Sequence, residues 1–247
     1  MLCFQQKESN WEGAIRTNAI IYAPFLANQG VIRNQLFHVS DWLPTLAKLG
    51  GFEIDSRIKL DGKNQWNMIN YGGLSPRHEV MNVDDVMGYG SLIYFSMKFV
   101  NGSSSDGEYD NWLSSTNNNG YVDPITYALN VLNSTASRSI FSVQKKNLCV
   151  DTILKLRKFA QVKCTNGVNK NPCNLKKGPC LFNIYDDPCE ENNLASTLPS
   201  IKASMQRRYE EKMQIVVPTR RKLPDPACDP INFDLNWNWW QEETLKF

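Results

Sequence analysis

No stretch of the 247-residue chain approaches ~18 consecutive apolar residues, so the sequence predicts no membrane-spanning helix. Met1-Leu-Cys-Phe-Gln-Gln-Lys7 turns polar after its fourth residue, which does not fit the apolar centre of a signal peptide. Histidine is scarce. His38 and His78 are the only two, which leaves little for histidine-based acid–base or metal chemistry. The seven cysteines contain no Cys-x2-Cys pair, the usual spacing of a structural zinc site. Net charge is small, +2, which argues against nucleic acid as the main partner. Hydrophobic residues make up 42% and charged residues 21%, an ordinary globular composition for one large domain or a piece of a bigger one.

The cysteines are concentrated. Cys149, Cys164, Cys173, Cys180 and Cys189 fall within one segment, with Cys3 and Cys228 outside it. Disulfides explain that density better than a metal does. Cys180 and Cys189 can bridge to each other or to Cys164 and Cys173, and Cys149 and Cys228 complete the candidates. Asn101-Gly-Ser103 and Asn133-Ser-Thr135 are N-glycosylation acceptors by pattern. Cysteines and sequons together predict a lysosomal or secreted protein. A chain truncated at its N-terminus reconciles this with the missing signal peptide.

Leu36 to Gly51 reads as a loop and a helix. Ser40 or Asp41 can N-cap it, Pro44 falls in its first turn, and Gly50 and Gly51 can close it. Leu43, Leu46 and Leu49 give that helix an apolar face. Ala19 to Pro24 is a short apolar run that predicts a strand, so strand, loop and helix follow as in an α/β sheet. Asp61-Gly62 and Asp84-Asp85 are turn chemistry, and Glu79 to Val83 predicts a strand. Gly90 to Val100 is rich in β formers, with a hairpin or sheet edge closed at Asn101-Gly102. Residues 102–121 predict a long surface loop. Residues 138–180 carry ten Lys and Arg against one acid, Asp151, and include a helical pattern from Val150 to Ala160. Leu181 to Tyr185 predicts a strand followed by a turn at Asp186-Asp-Pro188. Leu198, Ile201, Met205, Tyr209, Met213 and Val216 mark the clearest helix. The tail is proline-rich and then tryptophan-rich, with Trp237, Trp239 and Trp240.

Four of these stretches carry a resemblance. His38-Val-Ser-Asp-Trp-Leu-Pro-Thr-Leu46 resembles a stretch of the sulfatase family, in its arylsulfatase B-like, insect-type branch. Lys7-Glu-Ser-Asn-Trp-Glu-Gly13, followed by Arg16, is similar to the family's Lys-x-Ser-x-Trp-Glu-Gly-Gly segment, with Ala14 in place of the second glycine. Cys180 to Ala195 is similar to its signature near the C-terminus. Asp225-Pro-Ala-Cys-Asp-Pro230 is similar to its terminal motif, whose cysteine can pair in relatives with one in the N-terminal half. The strand around Met97-Lys-Phe-Val100 also has a family counterpart.

The resemblance implies an α/β plus α+β chain, the C-terminal part of an alkaline-phosphatase-like sulfatase fold with a smaller antiparallel C-terminal domain. Residues 1–75 would be the remnant of the large α/β domain. Residues 76–247 would be the smaller domain, with the disulfide-rich segment 149–189 and the Trp-rich tail. It also implies a sulfuric ester hydrolase acting on sulfated glycans or aryl sulfates. Lys7 is the one residue carried over, as the lysine that reaches the sulfate; a flexible ammonium with three donors suits an oxyanion. The formylglycine nucleophile matures from a Cys/Ser-x-Pro-x-Arg motif. Ser75-Pro76-Arg77 has the wrong spacing for it, so no catalytic residue is expected in this chain. Calcium is expected for the full-length parent, with no metal ligands here, and this chain is expected to be inactive alone. The alternative is a non-enzymatic secreted glycoprotein that binds sulfated polyanions through the basic segment.

Overall fold

The computed structural model describes residues 9–86, 88–107, 123–144, 148–162, 164, 171–219 and 225–236. The chain divides into two compact units, Met1–Ile215 and Val216–Phe247. In the first unit the elements run α1 (Glu12–Ile15), α2 (Trp42–Leu49), α3 (Trp66–Tyr71), β1 (Glu79–Asp84), β2 (Tyr89–Tyr94) and β3 (Met97–Asn101). Then come α4 (Pro124–Leu132), α5 (Thr135–Gln144), α6 (Val150–Phe159), β4 (Cys180–Asn183) and α7 (Pro199–Met213). The four strands form one sheet in the order β1-β2-β3-β4, with every neighbour antiparallel. The described residues thus mix helices with an antiparallel sheet.

Strand alternation sorts the sheet's side chains onto two faces. Leu92, Phe99 and Leu181 are cross-strand neighbours and pack with Met205 and Tyr209 of α7. Pro199 occupies the first turn of α7; of its apolar stripe Met205 and Tyr209 are core, Leu198 and Met213 pack at its edge, and Ile201 is exposed. Val100, Cys180 and Phe182 face the other way and pack with Trp11, whose ring meets Phe182 edge-on at 5.7 Å. Lys98 lies opposite both Ile93 and Phe182 in register, so it belongs to this second face and is completely buried.

Three local expectations change. Residues 19–24 join no strand among those described; Ile20 is 92% exposed, because the sheet offers this run no neighbour to pair with. Helix α2 forms where expected, yet Leu43, Leu46 and Leu49 point to solvent. Its inward residue is Thr45, whose hydroxyl donates to the Asp41 carbonyl at 2.6 Å and accepts the Gln65 amide at 2.9 Å. Polar anchoring therefore orients this helix, not its leucines. Finally, the hairpin falls inside Gly90–Val100 and not at Asn101-Gly102. The chain reverses at Phe95-Ser96, with Phe95 at φ 52°, a backbone region that phenylalanine seldom adopts. The His78 ring stacks on Phe95 at 5.1 Å and the His78 carbonyl accepts its amide at 2.8 Å, which holds the turn.

In the second unit, Pro226–Cys228 and Pro230–Phe233 are short 3-10 turns. Each starts with an Asp-Pro pair, and the carboxylates of Asp225 and Asp229 accept the amides of Ala227 and Ile231.

Candidate functional site

Two buried charged clusters organise the described part of the first unit. One lies under α1, the short helix that begins at Glu12, within the Lys7–Gly13 motif. Glu12 of α1, Lys98 of β3 and Glu190, in the loop after β4, converge there, all three buried. Lys98 Nζ is 2.9 Å from Glu12 Oε1 and 2.7 Å from Glu190 Oε1. Although that close, Glu190 Oε1 receives no hydrogen bond with good geometry. Glu190 Oε2 accepts the backbone amide of Glu12 at 2.7 Å, tying the start of the helix to the far loop. Burial pushes the Glu190 carboxyl up to about 7; Lys98 opposes this, and the neighbouring Glu12 carboxylate adds to it.

The second cluster is centred on Asp41, at the start of α2. Arg77 grips it with Nε at 2.8 Å and Nη2 at 2.5 Å. The amides of His38 and Lys63 and the side chain of Gln65 also donate to the carboxylate. The Ser75 hydroxyl lies 2.7 Å from the Leu36 carbonyl and 3.0 Å from Gln65 Oε1, with one proton to donate between them. Arg77 reaches on to the Asp61 carbonyl at 2.8 Å. Burial raises the Asp41 carboxyl, but the Arg77 guanidinium and the other donors outweigh it and hold it at about 2. His38, half-buried beside Arg77, is lowered by burial and by that positive charge. The chain bends at Asp61 without a turn hydrogen bond, and Gly62 is required by close approach: a Cβ there would lie 2.2 Å from the Ser40 carbonyl oxygen.

The remaining sequence candidates are placed as follows. Lys7 and the tryptophans of the tail lie outside the described residues. Cys164 pairs with Cys189 and Cys173 with Cys180, while Cys149 and Cys228 carry free thiols. Cys164–Cys189 fastens the loop that presents Glu190. Asn101 ends β3, and its side chain is hydrogen-bonded with the Tyr209 hydroxyl; Asn133 caps the end of α4 and is exposed. From the basic segment, Lys155 and Lys158 of α6 are exposed and Arg157 covers the Tyr127 ring at 4.2 Å. Among the described residues no three His, Cys, Asp or Glu side chains gather as a metal-binding group. Also among them, no helix is long and apolar enough to cross a membrane.

Sequence reasoning read Asp41 only as a helix cap and Arg77 only within the rejected Ser75-Pro76-Arg77 motif, and it did not single out Lys98 or Glu190. A signal existed for Lys98: a lysine amid the β formers of Gly90–Val100 must find an opposite charge if it is buried.

No family model matches the chain. It is similar to Arylsulfatase J of Mus musculus, 30% identical over 97% of this chain and 36% of that protein. The chain thus spans about a third of the length of that relative. The likeness supports a sulfatase family for this chain, and an antiparallel sheet with helices is consistent with the C-terminal domain of such a protein.

Proposed function

We propose that these residues are the C-terminal part of an arylsulfatase B-like sulfuric ester hydrolase, and that Lys7 binds the sulfate group of its substrate. The observation that carries the reading is a convergence. The motif around Trp11-Glu12, the Met97–Val100 strand and the Cys180–Ala195 signature meet at one buried cluster. Sulfate-ester cleavage places negative charge on the leaving oxygen and the sulfate oxygens. An ammonium at Lys7 donates hydrogen bonds to those oxygens as the charge develops. The formylglycine nucleophile, and the calcium that withdraws charge from the sulfate, belong in this reading to residues outside this chain.

Residues 1–75 are then part of a larger α/β domain and 76–247 of the smaller one. The outward leucines of α2 and the exposed 19–24 run favour this, because such surfaces are covered in a larger domain. Paired cysteines and an exposed sequon at Asn133 favour a secreted or lysosomal route. Sulfated glycans or aryl sulfates are the substrate class.

A second reading rests on the exposed lysines of α6: binding of sulfated polyanions without catalysis. Aryl-sulfate hydrolysis by the native gene product, beside its Lys7→Ala variant, tests the first. Loss of about 10²–10³ in kcat is expected for the variant. Salt-sensitive heparin binding, with no hydrolysis and no effect of Lys7→Ala, would establish the second reading and sink the first.

A further inference from the structure

Three charges are shut away beneath α1, and they do not balance. One ammonium, Lys98, faces two carboxylates, Glu12 and Glu190, and all three side chains are buried. With every group ionised the buried side chains set two carboxylates against one ammonium, and the partly exposed Arg16 stands 3.9 Å from Glu12 Oε2. That is a costly state, and one proton on a carboxylate removes it. The groups facing Glu190 are Lys98 from β3 and Glu12 from α1, whose Oε2 lies 3.9 Å from Arg16. On Glu190's own loop, Asp187 accepts the amides of Glu191 and Asn192, and Glu191 is itself buried. Glu190 also accepts the Glu12 amide, so its charge state acts on the helix backbone directly.

We propose that Glu12, Lys98 and Glu190 form a proton-dependent clamp that positions the 9–15 segment on the sheet: closed in acid, loosened above neutrality. The clamp does not rest on the reading of Lys7 given above. All three are positioning residues, acting on the segment and not on substrate. The sign follows from linkage. A carboxyl raised from 4.5 to about 7 contributes stability that is complete below 4.5 and is lost as pH rises to about 7. An acidic compartment closes the clamp.

Amide hydrogen exchange on the whole chain between pH 5 and 8.5, corrected for intrinsic rates, tests this. The amides of Glu12, Ala14, Ile15 and Arg16, each bonded in the structure, report the clamp. Core amides of β3 report global stability. The opening constant of the four is expected to rise by up to about tenfold per pH unit until about pH 7, then level off, with the β3 amides steady. Glu190→Gln keeps the shape and removes the titration, so its profile is expected to be flat. A flat wild-type profile, or the same slope in Glu190→Gln, overturns the clamp. Lys7→Ala is expected to exchange like wild type, so failure of the Lys7 reading registers in hydrolysis alone.

Discussion

The cluster at Asp41 and the cluster at Glu190 are built from the same materials and reach opposite electrostatic ends. Each buries an acid against a base, and each ties together segments distant in sequence. At Asp41 a single carboxylate meets a two-pronged guanidinium, two backbone amides and a side-chain amide, and is held at about 2. At Glu190 two carboxylates share one ammonium, and the carboxyl is pushed up to about 7. Burial opposes ionisation in both. What differs is the number of donors per carboxylate, and that decides which site is a fixed joint and which one responds to pH.

The contrast can be broken at its strongest point first. Lys98→Met leaves two buried carboxylates with no buried base, and only the partly exposed Arg16 beside Glu12. It should destabilise the chain by about 3–5 kcal/mol in urea unfolding at pH 7 and by less at pH 5, where protonation relieves the pair. Equal losses at both pH values would remove the coupling argued for Glu190. Arg77→Met strands Asp41 but leaves it three other donors, so about 2–3 kcal/mol is expected, with no such relief at pH 5. Gly62→Ala pushes a methyl into the Ser40 carbonyl, with an expected loss of about 1–3 kcal/mol and no pH dependence. The smallest effect is on the acid limb. Asp41 is depressed, so its stability is present above 3.8 and is lost as pH falls towards about 2. Asp41→Asn should flatten stability in that range while leaving the slope between pH 5 and 7 intact.

The segments that build these clusters were legible in the sequence; their meeting was not. His38–Leu46, Leu60–Gly62 and Ser75–Arg77 each read locally as cap, turn and loop. Only the fold brings Arg77 onto Asp41 and Asp61. Lys7–Gly13, Met97–Val100 and Cys180–Ala195 were read as separate landmarks, and their common point, Lys98, was passed over. Helical periodicity located α2 and α7 because spacing is a local property. It named the apolar face of α2 but not what would cover it. The Phe95 turn escaped notice because it uses neither Gly nor Asn, and ring stacking from His78 takes their place.

The most direct measurement is a side-chain titration of the glutamates by carbon NMR on the whole chain, with Glu190→Gln for assignment. One carboxyl titrating near pH 7, absent from the variant, is the result expected from the buried pair under one lysine. If Glu190 instead titrates near 4.5 with the other glutamates, the cluster carries no stored proton and the contrast between the two sites falls.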